Sequence, residues 1–391
     1  MHSTLTRSVA LTTLAAGALV LAGCSGSTPE SGGASDGASE APIGAIDLAA
    51  AGCPADVRIQ TDWNPEAEHG PLYELLGEDY SFDTSVKSLT GPLMASGEYT
   101  GVDVTILAGG PAIGFASPTT QLYTDDSLLL GYVGTDDAIN AYADRPTLAV
   151  LAPLEKDPQM IQWDPATYPD VTSIADLGTQ DITIRTFSGQ TFIDWFIGSG
   201  IVSADQVDST YDGLPATFIA EGGKVAQQGY ASAEPYIYEH EVPEWGKPVD
   251  YQLIYDAGFQ RYAQTLAGKP DVIEANSDCL KALVPVLQQA TVDYYASPDA
   301  ANAIILAAVE AYDTGWVYSQ GVADYSVETQ VDEGLVGNGS NDTVGDFEAD
   351  RVSTLFDQVA PIYKDAGITI PDGFSPDQLY TNEFIDPSIG F

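Results

Sequence analysis

The sequence predicts an α/β fold of two lobes, and three observations carry that prediction. Short β-prone apolar runs alternate with helical stretches along the chain. Its 391 residues suffice for roughly two ordinary domains, each with its own core. Two extended, Pro- and Gly-flanked segments, 146–158 and 258–270, have the character of passages between lobes.

Each element has a local reason. Residues 57–61 (VRIQT), 102–107 (VDVTIL), 128–133, 147–151, 181–187 (DITIRTF) and 251–255 are β-branched or apolar runs closed by turn residues. Residues 191–198 follow a Ser-Gly turn as a helix. Apolar residues recur at three and four over 276–297 and again over 298–318, which predicts two amphipathic helices. Strand–helix alternation argues for mostly parallel sheets. With both passages as hinges, 157–260 is a lobe inserted into another built from 53–156 plus 261–391. No internal repeat is visible.

Thirteen Lys and Arg against 57 Asp and Glu give a formal net charge of −44. At 44% hydrophobic and 10% aromatic the chain folds, but its surface is unsuited to nucleic acid or anionic lipid, which need clustered basic residues. The charge itself reads as a solubilising or salt-adapted coat and not as a binding determinant.

The N-terminus is the most specific feature. Arg7 closes a short basic region, and residues 9–22 (VALTTLAAGALVLA) are apolar but too short to span a membrane comfortably. They end in Leu21-Ala22-Gly23-Cys24, which resembles the lipobox of bacterial lipoproteins. That resemblance implies a signal peptide over 1–23, cleavage and lipidation at Cys24, and extracytoplasmic anchoring to the cell membrane. Nine of the sixteen residues from Ser25 to Glu40 are Ser or Gly, so 24–52 is expected to be a flexible tether. The mature chain would be 368 residues with a charge of −45. In an exported protein the two remaining cysteines, Cys53 and Cys279, are expected to pair.

The motif T-D-W-N-P-E-A-E-H-G-P-L-Y over 61–73 resembles the opening of the thiamine-pyrimidine precursor (hydroxymethylpyrimidine synthase-like) family, a branch of the nitrate, sulfonate and taurine binding proteins. Residues 102–111 resemble that superfamily's D-V-x-x-x-x-G-G-P segment. Residues 173–177 (SIADL) resemble its S-x-x-D-L segment, with Gly178-Thr179-Gln180 departing from the usual G-K. The resemblance implies a type II periplasmic-binding-protein-like fold with two hinge crossovers, and a receptor that serves an ABC importer. It also places Tyr73 among the ligand-binding residues.

The same residues point to a cleft on physical grounds. Ligands in open α/β sheets sit beyond the carboxyl ends of strands, where Asp62, Trp63 and Asn64 follow the first one. Pro71 favours the first turn of a helix, which leaves His69 at its start. Trp63 can stack on a planar heterocycle while Asp62, Asn64 and His69 hydrogen-bond its edge. Gly109 and Gly110 permit close backbone approach. Ser188, Gly189, Gln190 and Thr191 present N–H groups and hydroxyls suited to an anion. Glu234 and Tyr236 follow an apparent strand end in the second lobe.

No G-x-S-x-G, H-E-x-x-H or Walker loop is present, and the fungal enzymes' Cys-rich iron site has no counterpart, so a pyrimidine synthase-like enzyme is disfavoured. No zinc spacing or EF-hand appears, and neither metal nor cofactor is expected. The expected protein is a monomeric, non-enzymatic lipoprotein receptor for a pyrimidine- or riboflavin-like ligand, partnered by a membrane permease. The runner-up ligand is a small oxyanion such as sulfonate, taurine or nitrate, held mainly by backbone N–H groups with Arg185 nearby. A structural acidic lipoprotein is the third reading.

Overall fold

The computed structural model describes residues 42–391, so the signal segment, Cys24 and most of the tether lie outside the described residues. Twelve strands form two sheets. They are β1 (Asp56–Gln60), β2 (Ser81–Asp83), β3 (Ser88–Ala95), β4 (Glu98–Leu107), β5 (Leu130–Val133) and β6 (Leu148–Leu151). Then come β7 (Gln159–Trp163), β8 (Thr183–Arg185), β9 (Val207–Asp208), β10 (Val225–Tyr230), β11 (Asp250–Leu253) and β12 (Thr265–Gly268). The seven-stranded sheet has the order β2-β3-β4-β1-β5-β12-β6, and the five-stranded sheet β11-β7-β10-β8-β9.

β1 lies in the middle of the larger sheet, parallel to both β4 and β5. Val57 and Ile59 are fully buried and pack in one core with Leu280, Leu283, Val284 and Leu287 of the helix Ser277–Ala296. The smaller sheet has a second core around Ile161, Trp163, Ile184 and Phe196.

The sheets are mixed, which corrects the mostly parallel expectation. β2, β3 and β4 form an antiparallel meander, and β12 runs antiparallel to both β5 and β6. β7 is likewise antiparallel to β10 and β11. The β3–β4 hairpin turns through Ser96 and Gly97, both at positive φ, the type I′ geometry that matches strand twist. Its first strand was hidden by Pro92, which sits where the β3–β4 register shifts.

Two further expectations fail at segment ends. The helix expected over 298–318 spans Asp299–Tyr312, because Asp313 adopts a left-handed conformation (φ 47°) that stops it. The expected tether ends earlier than residue 52: Ile43 bridges to Tyr99 and Leu48 is fully buried.

The chain passes from the first sheet to the second between β6 and β7, and returns between β11 and β12. Buried Arg261 ties the two passages together. Its Nε donates to Asp157 at 2.6 Å and its Nη1 to Asp136 at 3.0 Å. Arg351 adds donations to the carbonyls of Gln260 and Arg261, and its guanidinium lies 3.6 Å from the Tyr262 ring centroid. A buried guanidinium with two carboxylates is costly to leave half-paired.

Cys53 and Cys279 are disulfide-bonded across 226 residues, joining the entry to β1 to the helix Ser277–Ala296. Alkylation of the unreduced protein should therefore leave Cys53 and Cys279 unmodified in a peptide map, and reduction of their bond should lower stability by several kcal/mol on the chain-entropy estimate. Arg261→Leu, which strands Asp136 and Asp157, should cost about 3–5 kcal/mol in denaturant unfolding. A cost below about 1 kcal/mol would mean that the pair does not hold the passages.

Candidate functional site

The site begins where β1 stops. The β4 exit loop presses onto residues 62–63: Gly109 N donates to the Trp63 carbonyl at 2.8 Å and Gly110 N to that of Asp62 at 3.0 Å. A Cβ on Gly109 would meet the Asp62 carbonyl carbon at 2.3 Å, and one on Gly110 the Trp63 ring at 2.8 Å. Both glycines thus serve the Asp62–Trp63 loop, and neither lines the cleft.

Asp62 is fixed from two sides. Its Oδ1 lies 2.8 Å from His69 Nε2, and Gln264 Nε2 donates to both carboxylate oxygens at 3.2 Å. His69 is fully buried at the start of the helix Gly70–Glu74, whose first turn holds Pro71. His69 therefore orients Asp62 from behind the cleft surface. Asn64 is buried and its Oδ1 accepts from Thr314 Oγ1 at 2.9 Å, a loop-to-loop tie. Tyr73 is buried in the core of the larger sheet, so it is not positioned to touch a ligand.

A cavity of about 300 Å³ opens between the sheets at this point. Asp62, Trp63, Glu66, Glu68, Phe115 and Trp316 come from the larger lobe. Phe187, Gln190, Tyr211, Gln228, Tyr230 and Glu234 come from the other. Trp63 is at the centre of an aromatic wall, with ring centroids 5.9 Å from Phe115, 6.3 Å from Phe187 and 6.2 Å from Trp316. Neither the Lys nor the Arg side chains of the described residues reach this lining.

A smaller polar cavity of about 170 Å³ adjoins it, sharing Asp62, Gln159, Gln190 and Tyr230. Gly189 and Thr191 line it from one lobe, Asp136 and Arg261 from the other. Thr191 Oγ1 also bonds the Tyr363 hydroxyl at 3.0 Å. Ser188 is exposed and lines neither cavity. Tyr236 also stays outside both, its ring tilted against those of His240 and Tyr325. Arg185 is paired with Asp208 at 3.2 Å and is away from both cavities, so it is no anion ligand here.

The carboxylates of the larger cavity are short of partners. Glu68 accepts from Ser232 Oγ, and Glu234 from the Tyr230 N–H at 2.7 Å. Glu66 is 8% exposed and its carboxylate accepts no hydrogen bond from a described residue; His69 Nε2 lies 3.6 Å away. Burial raises Glu66 well above the ordinary carboxyl range, reinforced by the negative charges of Glu68, Asp62 and Glu234. Burial raises Glu68 too, partly offset by its Ser232 bond. Glu234 is pushed by burial to about 7, despite the lowering effect of the Tyr230 N–H.

Asp62, Glu66 and His69 bring donor atoms within 4.8 Å of one another, as a metal site would. However, the 2.8 Å separation of Asp62 and His69 is a direct hydrogen bond. Two ligands on one tetrahedral zinc would stand about 3.3 Å apart, given bonds of about 2.0–2.1 Å. The trio as built is an orienting relay.

Glu66, Glu68, Phe115, Phe187 and Trp316 were not singled out from sequence. The two glutamates stood inside the 61–73 motif, and Phe187 immediately preceded the Ser188 loop. Trp316 was absorbed into a helix that ends before it.

No protein-family model matches the chain, and no curated protein matches it. Solved structures do. The aliphatic sulphonate-binding protein SsuA of Escherichia coli is 13% identical over 82% of this chain and 91% of that one, with a TM-score of 0.53. The ligand-binding component of an ABC-type import system from Staphylococcus aureus, with zinc bound, is 9% identical over 85% and 98%, at 0.51. The nitrate-binding protein NrtA of Synechocystis PCC 6803 is 10% identical over 84% and 87%, at 0.50. At such identities the likeness establishes the fold, that of periplasmic binding proteins.

The Glu234 shift has a stability consequence. The folded state keeps the proton that the unfolded chain releases near the ordinary value of 4.5, so this contribution is present at low pH and is lost as pH rises to about 7. Wild type should lose roughly 1–3 kcal/mol more than Glu234→Gln between pH 4.5 and 7.5. Parallel pH profiles of the two melting curves would contradict the assignment.

Proposed function

We propose that the protein is an extracytoplasmic solute receptor, anchored through a lipidated Cys24, that captures a small heteroaromatic ligand and delivers it to an ABC permease. The observation that carries this reading is the cavity of about 300 Å³ whose aromatic walls come from both lobes. Trp63 and Trp316 line it from 53–156 plus 261–391, and Phe187 and Tyr211 complete the wall from 157–260. A ligand held only when both sides meet drives closure, because its differential affinity for the closed state shifts the population. Stacking on Trp63, with hydrogen bonds to Gln190, Gln228 and the carboxylates, suits a planar ring with polar edges such as a pyrimidine or a riboflavin-like flavin.

The fold is compatible with this role. The oxyanion alternative loses ground on one point: four acids line the main cavity, and the only basic residue lining the adjoining one, Arg261, is already paired with Asp136 and Asp157. Desolvating a sulfonate beside unpaired carboxylates is doubly unfavourable.

A sub-micromolar receptor needs about 8 kcal/mol of net binding. At 100 times Kd such a ligand would stabilise the protein by about 2.7 kcal/mol. In a thermal-shift screen, pyrimidines or riboflavin should raise Tm, and Trp63→Ala should weaken binding about 10- to 100-fold and erase that rise. Stabilisation by taurine or nitrate that ignores Trp63 would reverse the choice of ligand.

A further inference from the structure

We infer that the ligand is bound as an organic cation, its positive charge set against Glu66, Glu68 and Glu234 and its flat face against Trp63. This rests on the receptor reading above and narrows its ligand class by charge.

Two independent features of the cavity converge on a cation. The first is the absence of compensation. Glu66 is more than nine-tenths buried, lines the cavity and accepts no hydrogen bond from a described residue. Glu68 has Ser232 and its own backbone N–H, and Glu234 has the backbone N–H groups of Tyr230 and of itself, so neither meets a cation. Buried carboxylates in a folded protein are ordinarily paired with a cation or saturated with donors. Among the described residues every neighbouring charge is negative except buried His69, whose Nε2 is hydrogen-bonded to Asp62 at 2.8 Å and stands 3.6 Å from Glu66, too far for a hydrogen bond. A ligand carrying positive charge supplies the missing partner.

The second feature is the wall. Trp63, Trp316, Phe115, Phe187 and Tyr211 ring the same space, and an electron-rich aromatic face such as that of Trp63 attracts a desolvated cation. An aromatic wall alone would accept any flat ring. Joined to uncompensated carboxylates, it discriminates by charge. An N-alkylated or protonated heteroaromatic ring satisfies both surfaces at once, the ring stacking and the cationic nitrogen facing the acids. The cluster also explains why burial raises Glu66, Glu68 and Glu234: without a cation they are strained as anions.

The test compares ligands that differ in charge at nearly constant shape. Binding of 1-methylnicotinamide (a cation) and of neutral nicotinamide is measured by isothermal titration calorimetry, with thiamine, uracil, riboflavin, taurine and nitrate alongside. The expected result is that 1-methylnicotinamide binds about 100-fold more tightly than nicotinamide and thiamine more tightly than uracil. Glu66→Gln and Glu234→Gln, nearly isosteric, should each reduce that preference about 10-fold while the ligand-free proteins melt at or above the wild-type temperature.

Equal binding of the charged and neutral members of each pair overturns the cation inference and leaves the heteroaromatic receptor standing. So does a cation preference that survives both substitutions. Binding of taurine or nitrate only, or of no compound in the panel, overturns the receptor reading itself.

Discussion

The carboxylate of Asp62 is the fixed point on which the cleft depends. It stands two residues past the end of β1, the strand held on both sides by parallel neighbours, so its backbone position is set by the centre of the larger sheet. His69 and Gln264 then hold its side chain, one from the helix start behind it and one from the returning passage just before β12. Gly109 and Gly110 let the β4 loop close onto the same residues, since a Cβ at either would collide with the Asp62–Trp63 segment. Trp63 is thereby presented to the cavity on a rigid loop. Asp62 lines both cavities, so one constraint organises the aromatic chamber and its polar annex together.

A second constraint links the lobes. Arg261 and Arg351 pin the two passages to one another through buried donors to Asp157, Asp136, Gln260 and Arg261 carbonyls. Passages tied in this way can bend together while the sheets on either side stay intact. That is the mechanical requirement for a hinge composed of a few terminal and loop residues.

Much of this was legible in the residues, and the failures have particular causes. The first strand, its loop and the Pro71 helix start were set by local chemistry, and each is found within a residue or two of its expected place. The strand β3 was invisible because Pro92 and Gly91 lower β-propensity, and only pairing with β4 overrides them. Trp316 was missed because apolar spacing continues past Tyr312, while the left-handed turn at Asp313 is a conformational event that spacing does not encode. The glutamates were missed for a different reason: in a chain with 57 acids, a few buried ones have no distinguishing mark. Their partners, not their identities, set them apart.

That last point changes the meaning of the acidic composition. Most acids coat the surface, as the charge arithmetic implied, but Asp62, Glu66, Glu68 and Glu234 converge on a cavity that no Lys or Arg among the described residues lines. The charge that excludes nucleic acid from the outside therefore acts inside as a selector. The most direct test is a crystal structure of the protein grown with thiamine. The account predicts density for a ring stacked on Trp63 beside the T-shaped Trp316, with the positively charged end toward Glu66 and Glu234 and the lobes drawn together. An empty aromatic cavity at saturating thiamine, or density confined to the annex beside Arg261, would contradict it.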